Sequence, residues 1–332
     1  MPDNCRVKRI VFMSQIFIFS AAIPCFGQDE PSVSLTEILS IGGKGEFIRV
    51  EEVASDRHGN IFVTDAYRYS VKKFSPTGAL MGEYGKRGND SEDFGAPPYK
   101  IICHNETLAI VAKGTARVQL FTENFIYAGQ FLLPGAITDI IFDRRGRIVT
   151  GIIPYNHSEH RRLFLMEKSG KIIASVPSYK NGEGPAFDMM HISVSNENII
   201  IVAYRFTNTV ILYTDELKII KIFTVPVLLP ESPSIAGTSE ELGKIPQGDL
   251  IKDIGTDLDG NIFILSGDYT DSPHRDVYLF DPEGRFLTRF QLLRKSGILY
   301  IDNQGSMYTR ENQRTVVKKY RMTYRKCGKR QP

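Results

Sequence analysis

Tryptophan is absent from the 332 residues, and cysteine occurs only four times. Two of the four, Cys5 and Cys25, fall in the first 27 residues; Cys103 and Cys327 alone cannot make a disulfide framework. Cys103 sits in an apolar stretch and Cys327 in a basic tail, so a buried thiol and an exposed one are expected rather than a bridge. Neither sign of charge prevails, with 41 Lys and Arg against 38 Asp and Glu. No basic stripe follows a phosphate backbone, so nucleic acid is not an expected partner. The patterns G-x-S-x-G, H-E-x-x-H, C-x-x-C and G-x-x-x-x-G-K are all missing, which removes the usual signatures of a serine hydrolase, a zinc protease, a dithiol site and a phosphate loop.

One long apolar run is present, at the start. Basic RVKR (6–9) precedes IVFMSQIFIFSAAI (10–23), and a proline and small residues follow. That run has the length of a signal-peptide core and is short for a bilayer span. The expected division is a signal peptide over 1–27, one propeller domain over 28–322 and a basic tail over 323–332. Pro24 stands where a lipoprotein signal has a small residue, so lipid anchoring at Cys25 is the lesser reading. Export to the periplasm, cell surface or medium follows as the expectation, with no transmembrane segment in the mature chain.

The remainder repeats itself. DRHGNIFVTDAYRYSVKKFSPTGALMGEYG (56–85) returns as DLDGNIFIL (257–265) and VYLFDPEGRFLTRF (277–290). The template is strand, tight D-x-x-G turn, strand, polar loop, strand, second Gly turn, strand. Copies begin near residues 50, 137 and 251, and a copy from 297 stops after three strands. Weaker copies at 99–131 and 189–223 replace the glycine turn with Asn-Glu-Thr and Asn-Glu-Asn, which is reasonable because Asn tolerates positive φ. Alternating apolar positions with short turns at 40–50-residue spacing specify an all-β, six-bladed β-propeller of four-stranded antiparallel blades. The N-terminal SVSLTEILSIGG (32–43) is expected to supply the strand that the last blade lacks and to close the ring.

The stretch DRHGNIFVTDAYRYSVKKFSPTGALMGEYGKRG resembles an NHL repeat, and nearly all of the mature chain is similar to bacterial six-bladed propellers of that type, most clearly in the first and fifth blades and least in the second and fourth. The resemblance implies a fold whose members include binding modules, scaffolds and a few enzymes. Some related propellers are lactonases or lyases with a metal held at the channel centre by carboxylates, Asn or His from inner strands.

Two sets of candidate residues follow from the template. Four positions back from each first turn lie Glu52, Lys100, Asp139, His191 and Asp253, expected at the central channel near one mouth. A hydrated channel whose carboxylates balance Lys100 is the plain reading, and a polar pocket or a metal site the sharper one. No metal ligand set is assigned, because a lysine in the ring disfavours a bound cation and Ile298 occupies the sixth position. The second set comes from the long loops, which all fall on one face: Tyr67, Arg68, Arg117, Tyr155, Tyr204, Arg205 and Tyr269. Aromatic side chains beside arginine suit sugars, peptides or carboxylates. The functional expectation is an exported, monomeric binding module for a glycan, peptide or protein, without a cofactor or a catalytic residue. A metal-dependent lactonase- or lyase-like enzyme with its site at the channel is the alternative.

Overall fold

A computed structural model describes residues 32–43, 45–156, 160–178, 184–226, 234–239 and 243–325. Six antiparallel sheets of four strands are arranged in a ring. Their inner strands are Val50–Ser55, Pro98–His104, Gly135–Phe142, Met190–Val194, Ile251–Thr256 and Leu299–Ile301, here blades 1 to 6. Each sheet is a meander from the axis to the rim. The sixth is completed by the N-terminal strand: Ser32–Gly42 pairs antiparallel with Val316–Arg325, from Ser32 opposite Arg325 to Gly42 opposite Val316. The expected closure is what forms, and the final strand runs three residues past the boundary read at 322.

The first turns are alike because they solve one problem alike. In blades 1, 3, 5 and 6 the carboxylates of Asp56, Asp143, Asp257 and Asp302 each accept backbone N–H groups two and four residues on, at 2.8–3.0 Å. The fourth turn residue must then take positive φ, and a glycine does so at φ 75–81°. Blades 2 and 4 reach the left-handed region with Asn105 (φ 52°) and Asn198 (φ 63°) instead.

The core lies between blades, since a four-stranded sheet has two apolar faces to cover. Ile201, Ala203 and Leu212 of blade 4 meet Ile254, Ile264 and Tyr278 of blade 5. The second and third strands are accordingly mostly buried, completely so in Ile61–Asp65 and Ser70–Phe74, while outer strands alternate toward solvent.

The two faces differ. First and third turns are tight on one face. The other carries the long connections at 85–97, 178–189 and 225–250, the last containing a hairpin of Ile235–Ser239 with Gly243–Pro246. Among the described residues no helix is long and apolar enough to cross a membrane.

Candidate functional site

Four of the five channel candidates are aimed by irregularities in the inner strands. The pairing of inner and second strand slips just ahead of Lys100, Asp139 and Asp253, and within Val50–Val53 around Glu52. A bulge of this kind bends the strand and re-aims the next side chain. His191 sits in a blade whose pairing is regular.

At the axis these side chains meet. Lys100 Nζ lies 2.6 Å from Glu52 Oε2 and 3.0 Å from Asp139 Oδ1, so blade 2 is tied to blades 1 and 3. Asp139 Oδ2 accepts the Ile192 N–H of blade 4 at 2.7 Å, and Asp253 Oδ2 accepts the Leu299 N–H of blade 6 at 2.7 Å. His191 Nδ1 stands 3.6 Å from Asp253 Oδ1. Between blades 6 and 1 Arg310 Nη1 donates to the Val50 and Glu51 carbonyls and to Glu51 Oε2 at 2.9–3.1 Å, and the Tyr300 hydroxyl accepts the Ser55 N–H at 3.1 Å.

The charge states follow from burial and neighbours. Burial alone would lower the Lys100 ammonium, but Asp139, Glu52 and Asp253 outweigh it and hold its pKa well above the usual lysine value. Burial pushes the Asp253 carboxyl up, Lys100 opposes and Glu52 adds, leaving it at about 7. Burial drives His191 well below its ordinary value, with Lys100 and Arg205 acting the same way, so the imidazole is neutral at pH 7. Both its ring nitrogens are buried without a hydrogen-bond partner. The donor set does not fit a metal ion. Its carboxylates already share an ammonium at contact distance, and among the described residues no group of three or more His, Cys, Asp or Glu could hold a metal.

Glu52, Lys100, Asp139 and Asp253 line one end of a channel of about 320 Å³. It runs along the inner strands past Cys103, Ser193, Thr256 and Tyr300 to the first turns, where Arg57, His104, Arg144 and Asn303 line it. The space therefore opens on the short-turn face, whereas the sequence attached the channel mouth to the long loops. Arg144 crosses the opening from blade 3, with Nε donating to the Ser195 carbonyl at 3.0 Å and Nη1 to Asn303 Oδ1 at 3.4 Å. Nothing in the repeat marked Arg144 or Arg310, because each acts at a turn or loop end rather than at a template position. Cys103 is a free, half-buried thiol pushed up to about 12 by burial; Cys327 lies outside the described residues.

The loop-face candidates separate into three kinds. Tyr204 is not on that face: at 4% exposure it is a core residue packed with Met190 and Ile192, because it ends the second strand with its side chain turned between blades. Arg68 and Arg205 are committed internally, Arg68 to the Gly45 carbonyl at 2.6 Å and Arg205 to Asp249 at 2.5 and 3.1 Å. Tyr269 donates to the Gln247 carbonyl. Tyr67 is 57% exposed under the Arg49 guanidinium. Arg117 and Tyr155, from adjacent blades 2 and 3, come together in an open groove of about 420 Å³ floored by Gly88, Gly95, Ala96, Gly114 and Thr115.

No family model matches the chain, and no curated protein matches it either. Solved structures do match over nearly the full length. A streptogramin B lyase is 10% identical, with 88% of this chain and 98% of that one covered at a TM-score of 0.55. A virginiamycin B lyase from Staphylococcus aureus is 12% identical, with 87% and 99% covered at 0.55. A Bacteroides fragilis protein named as an exported protein is 11% identical, with 89% and 96% covered at 0.57. At such identities the likeness is one of fold, the six-bladed propeller.

Two outcomes test the reading of the axis. Lys100→Met strands Glu52 and Asp139 as buried charges and should lower stability by about 3–5 kcal/mol, read from the urea midpoint; an unchanged midpoint would remove Lys100 from its role. Asp253 has its folded pKa raised above the unfolded value of 3.8. The folded state thus holds an extra proton between about pH 4 and pH 7 and loses stability as pH rises through that window. Asp253→Asn cannot ionise, so its melting temperature should gain on the wild type as pH goes from 5 to 8. A pH-independent difference would mean that Asp253 is already charged at pH 5.

Proposed function

We propose that the protein is an exported binding module of the NHL type, which recognises a glycan, peptide or protein over its long-loop face. The observation that carries this is the groove between blades 2 and 3. There an exposed Tyr155 (62%) and Arg117 stand over a floor of glycines, alanines and a threonine that leaves backbone polar groups within reach of a ligand. A flat aromatic ring beside a guanidinium offers stacking, hydrogen bonds and charge with little side-chain entropy to lose. Arg117 is already held by Nη2 donating to the Asp93 carbonyl at 2.8 Å, so its plane is fixed before any ligand arrives.

A metal-dependent lyase or lactonase needs a cation at the axis, and Lys100 stands in that place. Export rests on the leader at 1–27 and on the likeness of fold to a protein named as exported.

The test is a screen of purified protein against oligosaccharide and peptide arrays. Tyr155→Ala and Arg117→Ala should each weaken the best hit about tenfold or more, with the melting temperature within a degree or two of the wild type. Undiminished binding by both variants would move the site off this groove.

A further inference from the structure

The short-turn half of the channel holds a positive charge without a counter-charge. Residues that open the first turns line its mouth, Arg57, Asn105, Arg144, Leu258 and Asn303, and no acid is among them. The turn carboxylates beside them are buried and engaged within their own blades. While Oδ1 of Asp56, Asp143, Asp257 and Asp302 takes the turn N–H groups, Oδ2 accepts from Asn60, Arg147, Asn261 and Tyr308 at 2.7–3.0 Å. Arg57 pairs with Glu106 at 2.9 Å. Among the described residues Arg144 has no carboxylate partner. Burial draws its guanidinium below the usual arginine range, and the Tyr300 phenol is the neighbour that acts the other way. Its acceptors are neutral: the Ser195 carbonyl at 3.0 Å, and the Val194 carbonyl and Asn303 Oδ1 at 3.4 Å each. Two of those bonds are long, and the guanidinium has further N–H groups to give. Blades 3 and 6 stand opposite each other in the ring, so the contact with Asn303 is a weak bar across the opening.

We propose that the channel takes a small hydroxylated anion from the short-turn face, with its carboxylate or phosphate head on Arg144 and its uncharged body inside. A guanidinium whose acceptors are all neutral gains most from an anion, because charge-assisted bonds are shorter and stronger than those it now makes. The wall behind it sets the rest of the ligand. Ser55 Oγ and Tyr300 Oη meet at 3.0 Å, and Ser193 Oγ and Thr256 Oγ1 at 3.1 Å, so four blades present hydroxyls to the channel. Of the two protons on the Ser55–Tyr300 pair, one lies between the oxygens and the other has no acceptor among the described residues. The far end fixes the orientation. There Glu52, Asp139 and Asp253 set three carboxyl groups against the single ammonium of Lys100, which turns away an anionic head and leaves it at the mouth. A volume of about 320 Å³ is at the lower end of the range usual for ligand sites, enough for one small molecule. On binding, the head takes over the Arg144 N–H that Asn303 now accepts, and the bar is released. This site is on the face opposite the Arg117–Tyr155 groove and does not depend on it.

Calorimetric titration of the purified protein with ribonate, ribose 5-phosphate and uncharged ribose separates the head from the body. At least one of the two anions should bind one-to-one with a Kd of about 1 mM or lower, and about tenfold or more tighter than ribose. The tighter of the two identifies the head group. Asn303→Asp gives Arg144 a counter-ion without removing it, and should weaken that anion about tenfold or more with the melting temperature no lower than that of the wild type. Arg144→Gln should weaken it as much. Tyr155→Ala, in the groove on the other face, should leave the affinity unchanged. Failure of both anions to bind, equal affinity for ribose, or an affinity undiminished in both the Asn303 and the Arg144 variants would overturn the proposal. So would loss of the anion in Tyr155→Ala, which would place it in the groove instead.

Discussion

An ammonium buried between two carboxylates from neighbouring blades fixes what the centre of this wheel is. Lys100 draws Glu52 and Asp139 to the axis, Asp139 in turn holds the backbone of blade 4, and Asp253 holds blade 6. Glu52, Lys100, Asp139 and Asp253 are thereby paired with a neighbouring blade, which is how a ring of separate sheets gains contacts at its narrowest radius. The same arrangement removes the axis as a cation site, since the lysine supplies the positive charge. What is left over is His191, neutral and without a hydrogen-bond partner at either ring nitrogen.

Closure is the second constraint. A three-stranded sixth blade would leave an open edge and an uncovered apolar face, and the N-terminal strand resolves both by pairing along Val316–Arg325. Arg310 adds the last link by reaching the first inner strand. Because the closing strand enters from the short-turn side, the two faces acquire different surroundings. One presents the long loops and the Arg117–Tyr155 groove, and the other carries the short turns and the Ser32–Glu37 end of the closing strand.

The fold was legible because turn chemistry repeats. Asp56, Asp143, Asp257 and Asp302 announce their turns, and Asn105 and Asn198 take positive φ where glycine is missing, as their type allows. The height of Glu52, Lys100, Asp139 and Asp253 was legible too, by counting back from those turns. That carboxylates balance Lys100 was legible as well; which of them it meets was not, because the bulges ahead of them leave no mark in an alternating pattern. Tyr204 misled for the opposite reason. It lies beside a loop in sequence, yet the last residue of a second strand still obeys the strand's alternation and turns inward. The bulges of the outer strands were hidden likewise: pairs such as Ile172–Ile173 and Ile219–Ile220 read as continuous strand until the register shows one residue skipped.

The most direct test of the central claim is the metal content of the purified protein, taken with its melting temperature before and after chelation. If Lys100 is the cation of the axis, no metal should be present in stoichiometric amount and chelation should leave the melting temperature where it was. One equivalent of a divalent metal whose removal lowers the melting temperature would contradict this account and make the channel floor a metal centre.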